Sequence, residues 1–328
     1  MKVLVTGAGG YIGTVLVDEL LRRGYYVIAL DRWFFGKTLQ DDVNLKTIDA
    51  DERLYDPDVL RGVDAVIDLA SLSNDPAGEL DPVKTWSINY LGRLRTAVLA
   101  KQKGVKRYLL SSSCSVYGFR DDIATEESRP NPLTTYAKAN LYAERDILPL
   151  ADKNFTPMAF RIATVYGYAG TRRMRFDLVI NAMTRDIVTK GKVMIMRDGS
   201  QWRPFVHVKD VAVAFAEALE KPEDLIRGRV FNLGTDDQNY QIKELADRIT
   251  SALGVNVEYE WYGSPDTRSY RVSFEKLKKE FGFEPKYRVE DGAKEIADAI
   301  RSGKLDSNDP KTITVSWYKS LIAQGVMV

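Results

Sequence analysis

The chain is poor in the residues that most metal and nucleophile chemistry draws on. Of its 328 residues one is a cysteine, Cys114, and one is a histidine, His207. A single thiol excludes an internal disulfide and a cysteine zinc site, and a single imidazole argues against a histidine-ligated metal or a histidine-centred triad. No metal is expected. An excess of charge is also missing, because 47 Lys plus Arg stand against 46 Asp plus Glu, for a net +1. Bulk charge therefore offers no footprint for nucleic acid, and any basic work must be local. No apolar run approaches membrane-spanning length, so no membrane partner is expected. Met1-Lys2-Val3-Leu4-Val5 runs straight into a glycine turn and leaves no room for a signal peptide, which makes the cytoplasm the expected compartment.

What remains is an ordinary globular composition, 45% apolar and 28% charged. The length suits one large α/β domain with an appendage, or two modest domains. Lys2 to Thr6 has the continuous apolar, β-branched character of a buried strand. Gly7-x-x-Gly10-x-x-Gly13 follows, then a helical pattern through Val15, Leu16, Leu20 and Leu21 that stops at Gly24, and a second strand from Tyr26 that ends on Asp31. Glycines alone often mark only a tight turn. Between a strand and a helix, with an acid 18 residues after Gly13, they predict a dinucleotide site. Glycine lets the backbone approach a pyrophosphate, the helix N-terminus supplies amide donors through Tyr11 and Ile12, and Asp31 accepts from the ribose hydroxyls. A carboxylate there repels a 2′-phosphate and favours NAD over NADP; Arg32 is the residue that would meet such a phosphate, with a solvated loop charge as its plainer reading.

Ala65 to Ala70 forms another strand, followed by the polar loop Ser71-Leu72-Ser73-Asn74-Asp75-Pro76. Asp51, after a weaker strand at 47–49, is placed to reach an adenine edge, and a helix is expected from Trp86 through Lys103 with Asn89 within it. Tyr108-Leu109-Leu110 then runs into Ser111-Ser112-Ser113-Cys114-Ser115, and a helix opens at Thr134-Thr135-Tyr136. A hydroxyl cluster at a strand end, answered by a tyrosine at a helix start, suits proton transfer to or from an alcohol or ketone. The alternation predicts a doubly wound parallel α/β sheet of Rossmann type with ligands at the carboxyl ends of its strands, beside a smaller α/β substrate-binding domain. The expected division is 1–165 for the dinucleotide domain, with 204–236 returning to it, and 166–328 mainly for substrate.

VTGAGGYIG at 5–13, Asp31, SSSCSVYG at 111–118, TTYAKAN at 134–140, RIATVYG at 161–167 and RPFVHVKDVA at 203–212 resemble the extended short-chain dehydrogenase/reductases of the nucleotide-sugar epimerase and dehydratase branch. The resemblance implies NAD, a nucleotide-diphosphate sugar, and a homodimer formed through the 86–103 and 136–148 helices. Ser113 and Tyr136 match the family's catalytic hydroxyls. The family's lysine, four residues after the tyrosine, is Asn140 here. In a regular helix Lys138 lies about 200° from Tyr136 and cannot stand in. Asn140 can bond a ribose hydroxyl but brings no charge to stabilise a tyrosinate. Tyr136 then works with a higher pKa, another base takes the proton, or classical turnover is lost.

The cofactor set implied is completed by Leu69, Ala70, Ser71, Asn89 and Tyr136. Substrate contacts are implied for Ser113, Cys114, Ser115, Thr164, Arg175, Arg203 and Arg268. Arg172, Arg173 and Arg175, within four residues, offer a diphosphate clamp. His207 is expected to cap a helix rather than to react. Family dehydratases carry an acid pair just after the serine or threonine, where this chain has Cys114 and Ser115, so 4,6-dehydration is disfavoured. C4 epimerisation through a transient ketone is the leading expectation. Reduction of a 4-keto sugar with NAD(P)H, and a non-catalytic NAD-binding regulator, are the alternatives.

Overall fold

The computed structural model describes residues 1–170, 173–264 and 268–326. Seven parallel strands form its main sheet: β1 (Lys2–Thr6), β2 (Tyr26–Asp31), β3 (Leu45–Asp49), β4 (Ala65–Asp68), β5 (Arg107–Ser113), β6 (Thr156–Ile162) and β7 (Arg229–Leu233). Their spatial order is β7-β6-β5-β4-β1-β2-β3. The order reverses between β1 and β4, where a doubly wound sheet opens a crevice at its carboxyl edge.

The sheet is apolar on both faces because helices cover both. Val3, Val5, Val27 and Ala29 pack on one side with α1 (Tyr11–Arg22) and the 208–218 helix, while Leu4, Ile28, Val66 and Tyr108 pack on the other against Ala97, Ala100, Ala143 and Ile147. That alternation follows from the two-residue period of a strand.

The segment expected as one helix over 86–103 is divided. Short turns at Pro82–Trp86 and a wide, π-type stretch at Ser87–Gly92 lead into α2 (Arg93–Gln102). Its buried face is small and polar, with Asn89, Arg93, Thr96, Ala97 and Ala100 inward, whereas Leu91 is exposed. The next helix, α3 (Thr135–Ile147), is capped by the Thr134 hydroxyl, which accepts from the Ala137 N–H at 3.2 Å.

Beyond the main sheet, Thr164–Tyr166, Trp202–His207 and Asn239–Gln241 form a three-stranded sheet, and Lys192–Met196 pairs in parallel with Glu258–Tyr262. Helices α4 (Val179–Lys190), α5 (Val208–Ala218), α6 (Ile242–Leu253) and α7 (Val289–Arg301) follow in chain order; α4, α6 and α7 pack around a core that includes Tyr166, Ile180, Ile195, Phe205 and Leu245. His207 caps α5, its Nδ1 accepting from the Lys209 N–H at 3.1 Å, and it is fully buried. The last helix, α8 (Thr314–Ala323), returns to the dinucleotide half, where the Trp317 indole N–H donates to the Phe34 carbonyl at 2.7 Å. No helix among the described residues is long and apolar enough to cross a membrane.

Candidate active site

A cavity of about 820 Å³ runs along the carboxyl ends of the central strands. Its floor is the glycine turn. A Cβ on Gly7, which has φ +66°, would stand 2.7 Å from the Leu69 carbonyl carbon, and one on Gly13 would stand 2.3 Å from the Gly7 oxygen. Only glycine permits this approach of the β1–α1 turn to the end of β4. The N-cap of α1 is Gly10, which has no side chain to cap the first turn. The amides of that turn are therefore left for a ligand at the wall that Gly10, Tyr11, Ile12 and Gly13 form.

Asp31 ends β2 at the same wall. Its carboxylate accepts from the Gly9 N–H at 2.9 Å and the Trp33 N–H at 2.6 Å, which aims it across the turn. Burial pushes its carboxyl up, against those two backbone donors. Arg32 leans on Asp51 at 3.3 Å and over the Phe34 ring, and Arg53 holds Asp51 at 2.6 Å. Leu69, Ala70 and Ser71 line the cavity, and the Ser71 and Ser115 hydroxyl oxygens, both in its lining, are buried with no hydrogen-bond partner among the described residues. Uncapped amides, orphaned hydroxyls and a glycine floor fit a dinucleotide and its attached ligand.

Ser113, the last residue of β5, and Tyr136, in the first turn of α3, both line the cavity, with the serine hydroxyl near enough to the phenol to favour its ionised form. Burial and the Asp75 carboxylate push the phenol above its usual range; Arg93, the Ser113 hydroxyl and Arg175 pull the other way. Lys138 is exposed, turned off the site as the helix period requires. Asn140 is buried; its Nδ2 donates to the Tyr136 carbonyl at 3.0 Å and its Oδ1 accepts from Arg93 Nη1 at 2.9 Å.

Residues 3–234 match the model of the NAD dependent epimerase/dehydratase family. The chain belongs to that family. NAD is accordingly its cofactor. Among its relatives, a UDP-glucose 4-epimerase of Lactobacillus helveticus is 29% identical over 312 residues, covering 88% of this chain and 93% of the relative. UDP-glucuronic acid decarboxylase 1 of Arabidopsis thaliana is 26% identical, covering 95% of this chain and 72% of the relative. The solved structure of MoeE5 in complex with UDP-glucuronic acid and NAD superposes with a TM-score of 0.82 at 29% identity, covering 92% of this chain and 100% of that one. Family members thus catalyse more than one reaction on nucleotide sugars.

The other half of the cavity carries Thr164, Ser115, Arg175, Arg203 and Arg268. Arg175 is already held bidentately by Asp177, at 3.0 and 2.9 Å, and reaches Ser73 at 3.0 Å. Arg203 lies over the Tyr270 ring and donates to the Trp202 carbonyl at 2.8 Å and to the Arg268 carbonyl, while Arg268 pairs with Asp75. These pairings tie Arg175 and Arg268 to Ser73 and Asp75 in the segment after β4.

Three expectations need correction. Cys114 is not part of the cavity wall; it is 1% exposed and its thiol donates to the Arg161 carbonyl at 3.2 Å, because one step past a strand end reverses the side chain's direction. Asn89 does not line the cavity either. Its amide is fully buried and grips the Leu72 backbone in both directions, at 2.8 and 3.2 Å, so it shapes the loop that lines the pocket. Of the arginine cluster, Arg173 donates to the carbonyls of Met174 and Lys311 and to the Thr314 hydroxyl at 2.9 Å and lies over the Phe35 ring, joining α8 to the site rather than forming an open anion clamp. Arg172 lies outside the described residues.

The structure also adds residues that the motifs did not mark. Asp75 accepts from the Thr134 hydroxyl at 2.6 Å and pairs with Arg268, tying the start of α3 to the arginine set. Phe34, Phe35 and Tyr318 close one side of the cavity from the 33–36 loop and α8. Arg93 sits directly behind Asn140. A charged side chain on the inward stripe of a helix, four residues after Asn89, was the signal that could have found it.

Proposed function

We propose that the chain is an NAD-dependent nucleotide-sugar epimerase acting at the sugar's C4 hydroxyl through a transient ketone. The observation that carries this reading is the Ser113–Tyr136 pair, set between the glycine turn and the arginines at 175, 203 and 268 in one continuous cavity. Bound NAD supplies the reversible hydride acceptor.

Tyr136 takes the hydroxyl proton, with Ser113 bridging phenol and sugar, and returns a proton when the alcohol re-forms. Arg203 and Arg268 hold the diphosphate end at the opposite side, and Thr164 and Ser115 present hydroxyls between. No carboxylate directly follows Ser113, and the two positions after it hold a buried thiol and a hydroxyl. An acid there would be needed to expel water from a ketone intermediate, so epimerisation is favoured over dehydration. A second copy of this chain is the proposed partner: Val83, Leu91 and Tyr142 are 79%, 55% and 38% exposed on the outer faces of the 82–102 and 135–147 segments.

The test is to incubate the purified protein, with NAD and no added reductant, with UDP-, GDP-, dTDP- and CDP-linked hexoses, and to follow products by NMR. Interconversion of C4 epimers without net cofactor change is expected. Stoichiometric oxidation of NADH on 4-keto sugars would favour the reductase instead. Inertness across the panel would refute an enzyme of this kind.

A further inference from the structure

Arg93 is the charge that the proton chemistry leaves without a role. It is 1% exposed, and a guanidinium withdrawn from water costs several kcal/mol unless its neighbours compensate. Its Nη2 donates to the Asp68 carbonyl at 3.2 Å and to the Ser111 carbonyl and hydroxyl, and its Nε stands 3.4 Å from Asp68 Oδ1. Asp68 divides its charge further, accepting from the Thr6 hydroxyl at 2.9 Å and from the Tyr108 hydroxyl. The remaining edge of the guanidinium, Nη1, is turned away from Asp68 and donates to Asn140 Oδ1. Asn140 passes that polarity on, because its Nδ2 donates to the Tyr136 carbonyl while its side chain forms part of the cavity wall. An amide has two N–H bonds, so the second remains for a ligand.

We infer that Arg93, acting through Asn140, is the positioning residue that supplies the positive charge beside Tyr136 and fixes the first turn of its helix for proton transfer. The charge reaches the site from α2, across the ends of β4 and β5, rather than from the tyrosine's own helix. Asn140 is the neutral link that lets a guanidinium approach this closely; a cation at that position would repel it. The inference rests on the acid–base role proposed for Tyr136. The charged and titratable groups around the phenol are Asp75 from the loop after β4, Arg175 from the segment before α4, and Arg93 from α2, with the Ser113 hydroxyl also beside it. Those around Arg93 are Asp68, Glu52, Tyr108 and Tyr136.

The experiment compares Arg93→Gln, Arg93→Lys and the double variant Arg93→Gln/Asn140→Lys with the wild type. Two readouts are taken: the titration of Tyr136 in protein carrying isotope-labelled tyrosine, its NMR signal assigned with Tyr136→Phe, and the pH profile of kcat/KM. Arg93→Gln is expected to move the Tyr136 titration and the acid limb of the profile to higher pH, and to lower kcat/KM at neutral pH by about 10-fold to 100-fold, part of what a general acid–base group contributes. Arg93→Lys and the double variant, which return a cation, are expected to move both back. A folded Arg93→Gln protein whose Tyr136 titration stays in place overturns the inference, as does a double variant that stays shifted. If Arg93→Gln fails to fold, the double variant decides alone, at the wild-type position or displaced from it. The NMR titration needs no turnover, so a chain inert on every nucleotide sugar would refute the proposed reaction without touching this result.

Discussion

Replacing Asn140 with lysine writes the family's residue back into the sequence, and the structure says that it harms the protein. Asn140 Oδ1 lies 2.9 Å from Arg93 Nη1, and both residues are 1% exposed. An ammonium at this position comes within about 4 Å of the guanidinium, a repulsion of about 4 kcal/mol at an effective dielectric of about 20. The guanidinium N–H loses its acceptor as well, worth about 1–3 kcal/mol for a buried donor. The lysine can escape by shedding its proton, but from a normal pKa near 10.4 that costs about 4–5 kcal/mol at pH 7. The charged arrangement costs about 5–7 kcal/mol and the neutral one about 4–5, so the penalty settles near the cheaper value, a large share of the roughly 5–15 kcal/mol that holds a typical domain folded. Urea unfolding checks this: Asn140→Lys is expected to lose most of its margin, and Arg93→Gln/Asn140→Lys to recover most of it, because the repulsion needs both cations. A single Asn140→Lys variant within about 1 kcal/mol of the wild type would refute the reasoning, since no arrangement with two buried cations this close is that cheap.

Three further outcomes follow from the geometry. Tyr136→Phe removes the hydroxyl proposed as the acid–base group and nothing that touches the glycine turn, so turnover should fall by about 10²–10⁴-fold with NAD binding retained, checked by kinetics and by cofactor titration. Gly13→Ala forces a Cβ to 2.3 Å from the Gly7 oxygen and 2.8 Å from Ala8 backbone atoms, so the turn must open; NAD affinity should drop sharply and stability by about 1–3 kcal/mol, read by calorimetry and thermal unfolding. Burial alone would push the Asp177 carboxyl up, but the bidentate Arg175 outweighs it and holds it below its usual value. The stability this pair contributes is therefore fully present above the unfolded carboxylate range and lost as pH falls through the lower, folded value. Asp177→Asn should flatten the acid side of a urea-midpoint-against-pH curve; an unchanged acid slope would refute that.

The parts of the fold that could be seen in the chain are those set by local periodicity and by turn chemistry. The β1–glycine–α1 unit, Asp31, the strand from Arg107 to Ser113 and the start of α3 lie where their patterns put them, because each depends on neighbours in sequence. The Trp86–Lys103 segment is the clearest miss. One continuous helix was expected there, yet it is divided at 87–92, with Leu91 exposed and Asn89 and Arg93 buried. The wide turn at 87–92 changes the phase of the helix, and no local pattern announces such a turn. Cys114 and Arg173 failed for a related reason: adjacency in sequence to a site residue says little about which way a side chain leaves the backbone.

The sequence alone marked the dinucleotide turn and the serine and tyrosine that line one cavity, since glycine spacing, the acid ending β2, and a serine and tyrosine at the ends of two elements are constraints carried by the local chain. It also showed that position 140 has no charge. Only the tertiary structure decided what that means, by bringing Arg93 from a helix 47 residues away to hydrogen-bond Asn140. Electrostatic potential depends on distance through space and not along the chain, so a cation missing from one helix can be supplied by another, and no reading of either segment by itself reveals it.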